Sequence, residues 1–445
     1  MSGEDYFKKT RIKTMNTKIS ILLSLNAGLF ALTISAQPIP NDPMFAQQYG
    51  LAKIGATNAW AVSTGSSNVV VAIVSTGVNY NHEDLQANMW RNPGEIPGNG
   101  IDDDANGYVD DVHGIDTVGN GFSRDGDPMD EGVYYPTLGQ FYHGTANAGI
   151  IGAAANNGVG IAGVNWSVRL MALRASATSN VRESNVVAAL DYISLMKDRG
   201  VNIRVVHLPY FFLSVSHAFR EAHERIAARG ILQVAIPYFA DWNHDLSPVY
   251  PAALRLPGMI TVACLDQSDN WVPNTGYGRT SMDLAAPSLD VVTTSGESPG
   301  SYRSYPGGTE AGGAHVAGAA ALLFAIAPEA TAEDVKTALL ETVDVLPSLS
   351  DKVATSGRLN LGNAARHRRI VSKALRFTSI RRVADGTTRL ALQAPMRVEV
   401  DVETSANLVT WTSLTTLSFD RQIEVSAPAA PNDESRFFRA RLVSP

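Results

Sequence analysis

Between about residue 40 and residue 365, short runs of β-branched residues alternate with helical stretches, and this alternation restricts the fold more than any other feature of the chain. The runs are NVVVAIVST, VRLMALRA, NIRVVHLPY, ILQVAIPY, MITVACL and LDVVTT. Each is almost continuously apolar, the pattern of a strand covered on both faces rather than one facing water. Between them, ESNVVAALDYISLMKDRG carries apolar residues at Val186, Leu190 and Ile193, a cap candidate in Ser184 and a stop in Gly200. HAFREAHERIAARG likewise stops at Gly230. The expected fold class is α/β: a doubly wound, mostly parallel sheet with helices on both faces. Such sheets bind ligands beyond the carboxyl ends of their strands. That rule singles out Ser75, the stretch Pro209–Phe212, and Tyr238 with Phe239.

The texture changes after TAEDVKTALLETV, an amphipathic helix with its own cap. A basic connector, ARHRRIVSK, spans about 366–374. Beyond it, TRLALQA, MRVEVDVETSA, WTSLTTLSF, RQIEVSA and RFFRARL alternate apolar and polar residues between turn signals. A small all-β C-terminal module is expected over 375–445, with Trp411 and Phe437 in its core.

A net charge of −7 argues against nucleic acid or an anionic membrane surface as partner. The single cysteine, Cys264, rules out an internal disulfide and sits in an apolar run, as a buried thiol would. Residues 1–36 read as a secretory signal peptide: basic KKTRIKTMNTK, then ISILLSLNAGLFALTISA closing on Ile34-Ser35-Ala36. Translation starting at Met1 or at Met15 fits equally. The expected localisation is secreted, cell-surface or periplasmic, with no integral membrane segment after cleavage and a mature chain from Gln37.

Three blocks give the middle of the chain a family likeness. VVVAIVSTGVNYNHEDL resembles the first catalytic block of the subtilases, the subtilisin-like serine peptidases, where a strand ends in Asp-Thr-Gly. HGTANAGIIGAAANNGVGIAGVNW is similar to their histidine block, and GGTEAGGAHVAGAAALL to their serine block. The resemblance covers about residues 40 to 365 and implies a subtilisin-like peptidase domain over 37–365. It also implies which positions carry the triad. His143 stands at the base, Ser75 replaces the orienting aspartate, and Glu310 replaces the nucleophile. Phe239, in ILQVAIPYFADWN, replaces the oxyanion asparagine. His82 and His315 fall in family blocks as framework residues, and His217 and His223 are expected on a helix surface.

The family mechanism needs a nucleophile, a base, and a carboxylate that orients the base. In subtilisin itself, loss of the nucleophile costs about a million-fold in turnover and loss of the aspartate about ten-thousand-fold. Removing the oxyanion donor costs roughly a hundred- to a thousand-fold. The resemblance therefore implies a homologue without ordinary acyl transfer. Glu310 has three open roles: a structural partner of His143, half of a Glu–His acid–base pair, or one ligand of a partial metal site. The family's substrate-pairing strand edge is matched by Pro209, Tyr210 and Phe211, with Phe211 and Phe212 expected to fill the specificity pocket. The opposite wall is ASATSNVRES.

GNGIDDDANGYVDD reads as a calcium loop, with Asp102, Asp104, Asn106, the carbonyl of Tyr108, Asp110 and Asp111 as ligands and Gly107 at the sharp turn. Position twelve is His113 rather than glutamate, so the loop is no EF-hand. A second calcium site, implied by the resemblance, would use Asp42, Asp84 and Asn157. The short interval between Gln37 and NDPMF leaves no space for the family's propeptide, as expected of a chain that never cleaves itself. The leading expectation is a calcium-stabilised, exported, non-catalytic binding or scaffold protein for peptides or a partner protein. Its rivals are a peptidase working through His143 and Glu310 by other chemistry, and a surface protein acting through the β module.

Overall fold

The computed structural model describes residues 37–118, 126–135, 139–238, 240–305, 308, 310–429 and 436–445. The signal-peptide segment 1–36 and Phe239 lie outside the described residues. Seven parallel strands make the main sheet: β1 (Gly65–Ser75), β2 (Gly114–Asp116), β3 (Ser167–Arg174), β4 (Ile203–Leu208), β5 (Leu232–Ala235), β6 (Met259–Leu265) and β7 (Leu284–Pro287). Their order is β7-β6-β5-β4-β1-β3-β2, continued beyond β7 by the short strands Gly357–Arg358 and Asp344–Val345. Only the last of these pairs is antiparallel. The order reverses around β1, which pairs with both β3 and β4. This is the switch point where a ligand crevice opens beyond the strand ends.

The apolar run of β1 serves two cores at once. Val69, Val71 and Ile73 pack on one side with α1 (His143–Gly152) and α4 (Glu310–Ile326). Val70, Ala72 and Val74 pack on the other with α2 (Glu183–Asp198) and α3 (His217–Ala228). Alternate residues of a strand point to opposite faces, so a strand buried on both must be apolar throughout. Helix α4 runs through the interior, with every residue but Ala325 buried.

Several sequence expectations need revision. LDVVTT forms Val291–Ser295, but it pairs antiparallel with Ser301–Tyr305, outside the main sheet. The sheet strand nearby is LAAP of β7, whose small residues and proline gave no strand signal. Ser184 lies inside α2, whose N-cap is Arg182 without a side-chain cap bond. Glycines still end α2 and α3: Gly200 and Gly230 have φ of 96° and 68°. Helix α5 (Ala332–Glu341) begins with a capping box of Thr331 and Asp334.

The connector 366–374 contains a helix, α6 (Arg368–Ala374), with Ile370 in the core of the sheet domain and Val371 in that of the C-terminal module. The module has two three-stranded antiparallel sheets. One includes Arg376–Arg382, a strand that the basic sequence RFTSIRR concealed. Phe437 is 37% exposed, and Trp411 lies under the Arg439 guanidinium, so neither forms the module core. Leu390, Leu392, Val398, Val400 and Val402 form it instead. His223 is fully buried: its Nδ1 lies 2.7 Å from Gln233 Oε1, and burial pushes its pKa down to about 4.

Candidate active-site cleft

Ser75 ends β1 at the switch point, and α1 begins with His143 directly beside it. Their approach depends on Gly144. A Cβ there would stand 1.9 Å from the Gly77 carbonyl oxygen and 3.2 Å from Ser75 Cβ, so no other residue lets the helix end settle on this turn. The Gly144 N–H donates to Thr76 Oγ1 at 2.9 Å. Ser75 Oγ lies 2.8 Å from His143 Nδ1.

Glu310 opens α4 with its side chain 8% exposed, and its Oε1 stands 3.6 Å from His143 Nε2. Sequence reasoning had assigned Ser75, His143 and Glu310 to one site, and the structure brings them together. The arrangement that suits both contacts has the Ser75 hydroxyl donating to Nδ1 and the Nε2–H directed at the carboxylate. A hydroxyl, an imidazole and a carboxylate thus stand in line, with hydroxyl and acid on the sides opposite to those of the family triad.

Two residues of this centre escaped sequence reasoning. Asn147, one turn beyond His143, donates to the His143 carbonyl at 2.8 Å. Its Oδ1 faces His207 Nε2 at 3.2 Å. His207 is fully buried on β4, and burial followed by proximity to His143 lowers its pKa to about 3, so it is neutral. Its Nδ1 has no hydrogen-bond partner, and its ring occupies the space left by Gly313, where a Cβ would meet Cε1 at 2.9 Å. The spacing of Asn147 four residues after His143 on a helix was the available signal. Nothing local in VVHLP marks His207.

Over these groups opens a cavity of about 440 Å3. Pro209, Phe211 and Leu213 line one side, and Ser176, Ser179 and Val181 the other, so both sequence-predicted walls meet here. Tyr210 also borders the cavity, but it is 6% exposed, with its ring beside Phe219 and its hydroxyl near His223. Phe211 and Phe212 both border the cavity: Phe212 also packs against the same core, and Phe211 is braced edge-on by Tyr238 at 4.5 Å. A larger cavity, of about 670 Å3, lies beside Tyr80, Asp110 and His113 and includes none of these groups. Cys264 is buried near the head of α4, and burial pushes its thiol up to about 12, which removes it as a nucleophile. His82 and His315 are buried framework residues, held to the Ser301 and Ala311 carbonyls.

The sequence profile of the Subtilase family matches residues 66–369. The chain belongs to the subtilases. Subtilisin-like protease 1 of Plasmodium berghei is 29% identical over 364 residues, 77% of this chain and 57% of that protein. Halolysin-like extracellular serine protease Nep of Natrialba magadii is 29% identical over 74% of this chain and 53% of its own. This subtilase spans about half the length of the curated relatives it matches. A solved structure of a protease from Pseudoalteromonas arctica superposes with a TM-score of 0.59 at 24% identity, over 74% of this chain and 99% of that one, and shares the fold. No helix among the described residues is long and apolar enough to cross a membrane.

The acidic loop of this subtilase divides into two groups. Asp102 accepts the N–H groups of Asn106 and Gly107, and Asp110 those of Gly98, Asn99 and Gly100. These two carboxylates shape turns and do not join the cluster expected of them. Asn106 turns its Nδ2 to Asp111 and its Oδ1 accepts the Tyr108 N–H, while the Tyr108 ring packs on Tyr192. The carboxylates that converge are Asp104, Asp111 and Glu95, the last missed because it precedes the motif. Their oxygens lie within 4.8 Å of one another. Asp111 accepts from Asn92, Asn106 and Tyr192, and burial raises its pKa to about 6. Asp104 Oδ1 is buried without a hydrogen bond, with Arg199 Nη1 3.3 Å away. Hard oxygen donors with unused acceptor capacity fit a divalent cation such as calcium. Asp42, Asp84 and Asn157 also meet: Asp42 accepts the Asn156 and Asn157 N–H groups, and Asn157 Nδ2 donates to Asp84 at 3.0 Å.

Proposed function

We propose that this subtilase is an exported binding protein whose cleft holds an extended peptide or a segment of a partner protein, without acyl transfer by the family route. The observation that carries the reading is Glu310. It heads α4 and turns a carboxylate, which has no proton-bearing nucleophilic oxygen when ionised, toward His143 Nε2. Ser75, in turn, offers Nδ1 no charge with which to stabilise an imidazolium. Export is supported by the character of residues 1–36 and by an extracellular relative. In the same reading, calcium stabilises the fold through Glu95, Asp104 and Asp111.

One observation favours a second reading, hydrolysis with Ser75 as nucleophile: its Oγ is already 2.8 Å from a base whose far nitrogen faces an acid. Incubation with unfolded casein and with a fluorophosphonate probe separates the two. The binding reading expects no turnover and no label. Stoichiometric label on Ser75, with casein turnover abolished by His143→Ala and by Glu310→Ala, would establish the second reading in its place.

A further inference from the structure

We infer that the cleft selects a cationic side chain, a lysine or arginine of the bound peptide, with Glu310 as its counter-ion; this rests on the binding reading above. Among the described residues lining the cavity, Glu310 is the only carboxylate, and no lysine or arginine joins it. Arg174, beside Ser75 in the sheet register, is already held by Asp116 at 2.5 Å and by Glu131. Glu310 is therefore the one acidic side chain in that lining.

That anion is poorly satisfied. A carboxylate has about four acceptor directions. Among the described residues, the one side chain recorded against the Glu310 carboxylate is the His143 imidazole, at 3.6 Å, longer than a hydrogen bond of 2.7–3.2 Å. A buried carboxylate with unused acceptors gains from a charged donor far more than from a neutral one. The walls suit the rest of such a side chain. Val74, Val181, Pro209 and Leu213 offer apolar contact to a methylene stem, and the Phe211 ring lies within the same cavity for cation–π contact. Ser176, Thr178 and Ser179 add hydroxyl acceptors. A volume of about 440 Å3 falls in the usual range for a ligand site, roughly 300–1,000 Å3.

The test is calorimetric binding of three blocked tripeptides, Ala-Ala-Arg, Ala-Ala-Leu and Ala-Ala-Glu amides, to the full protein and to Glu310→Gln and Glu310→Asp. The expected result is that the arginyl peptide binds the native protein at least about tenfold more tightly than the leucyl peptide. Glu310→Gln should erase that preference, and Glu310→Asp should keep part of it. Melting curves of both variants establish that they are folded. Equal binding of arginyl and leucyl peptides overturns the cation inference and leaves the peptide-binding reading intact. A preference that survives Glu310→Gln overturns Glu310 as counter-ion. No binding of any peptide overturns both.

Discussion

The cleft and the acidic loop both hold buried carboxylates, but those carboxylates are satisfied to different degrees. In the loop, Asp111 accepts from three side chains, Glu95 takes the Asp104 and Asp110 N–H groups, and oxygens of Glu95, Asp104 and Asp111 lie within 4.8 Å of one another. In the cleft, Glu310 meets one imidazole at 3.6 Å and borders a cavity of about 440 Å3. The occupant proposed for the donor-rich loop is an ion, and the one proposed for the sparsely partnered carboxylate under apolar walls is a side chain. The comparison teaches that counting acids along a sequence does not locate a site. What each oxygen already accepts does so.

The largest effect expected comes from exchanging the two groups that flank His143. Ser75→Asp combined with Glu310→Ser puts an acid at Nδ1 and a hydroxyl at Nε2, as the family mechanism requires. Fluorophosphonate labelling and casein turnover should then exceed those of either single substitution by about a hundredfold or more. A folded but inert double variant would show that the cleft walls, and not these two positions, stop the chemistry.

A smaller effect belongs to the loop. Chelation should lower the melting temperature by about 5 °C, the consequence of losing an ion held at roughly a hundred times its Kd. Asp104→Asn should abolish that sensitivity. Asp102→Asn should instead cost about 1 kcal/mol of turn hydrogen bonding and leave the response to chelator unchanged. If the two variants behave alike, the division of the loop into turn-holding and converging carboxylates is wrong.

The last effect is a gradual one, a pH slope from the floor of the cleft. The folded pKa of His207, about 3, is below its unfolded value of about 6.5. Its contribution to stability is therefore complete above pH 6.5 and is lost as pH falls from 6.5 toward 3, by up to about 1.4 kcal/mol per unit. Urea midpoints across pH 4–7 should fall less steeply toward acid in His207→Gln than in the native protein. Parallel curves would mean that this imidazole is not held neutral by burial.

Much of this was legible from local pattern. The runs that became β1, β3, β4, β5 and β6 are apolar because a doubly covered strand has to be, and Gly200 and Gly230 ended helices for a conformational reason. What misled were residues whose fate depends on distant partners. LAAP of β7 is a strand only because β6 and Gly357–Arg358 flank it. His223 sits on a helix with a polar surface, yet it is buried because Gln233 and Tyr210 meet it across the α3–β5 packing. Glu95 joined the acidic cluster from outside the motif because the chain folds back on itself there.

By itself, the sequence determined that the chain would form a doubly wound sheet with a β appendage, and its resemblance to the subtilases singled out Glu310, Ser75 and His143 as one site. These follow from side-chain periodicity and from residue identity, both written locally. Only the tertiary structure decided that Ser75 and Glu310 face opposite nitrogens of His143, that Asn147 and a neutral His207 lie beneath, and that Glu310 is left with acceptors to spare. Those facts depend on Gly144 and Gly313 letting backbones and rings approach within a few ångströms, and on distances between segments far apart in the chain. A linear pattern can propose such contacts, but close packing sets their lengths.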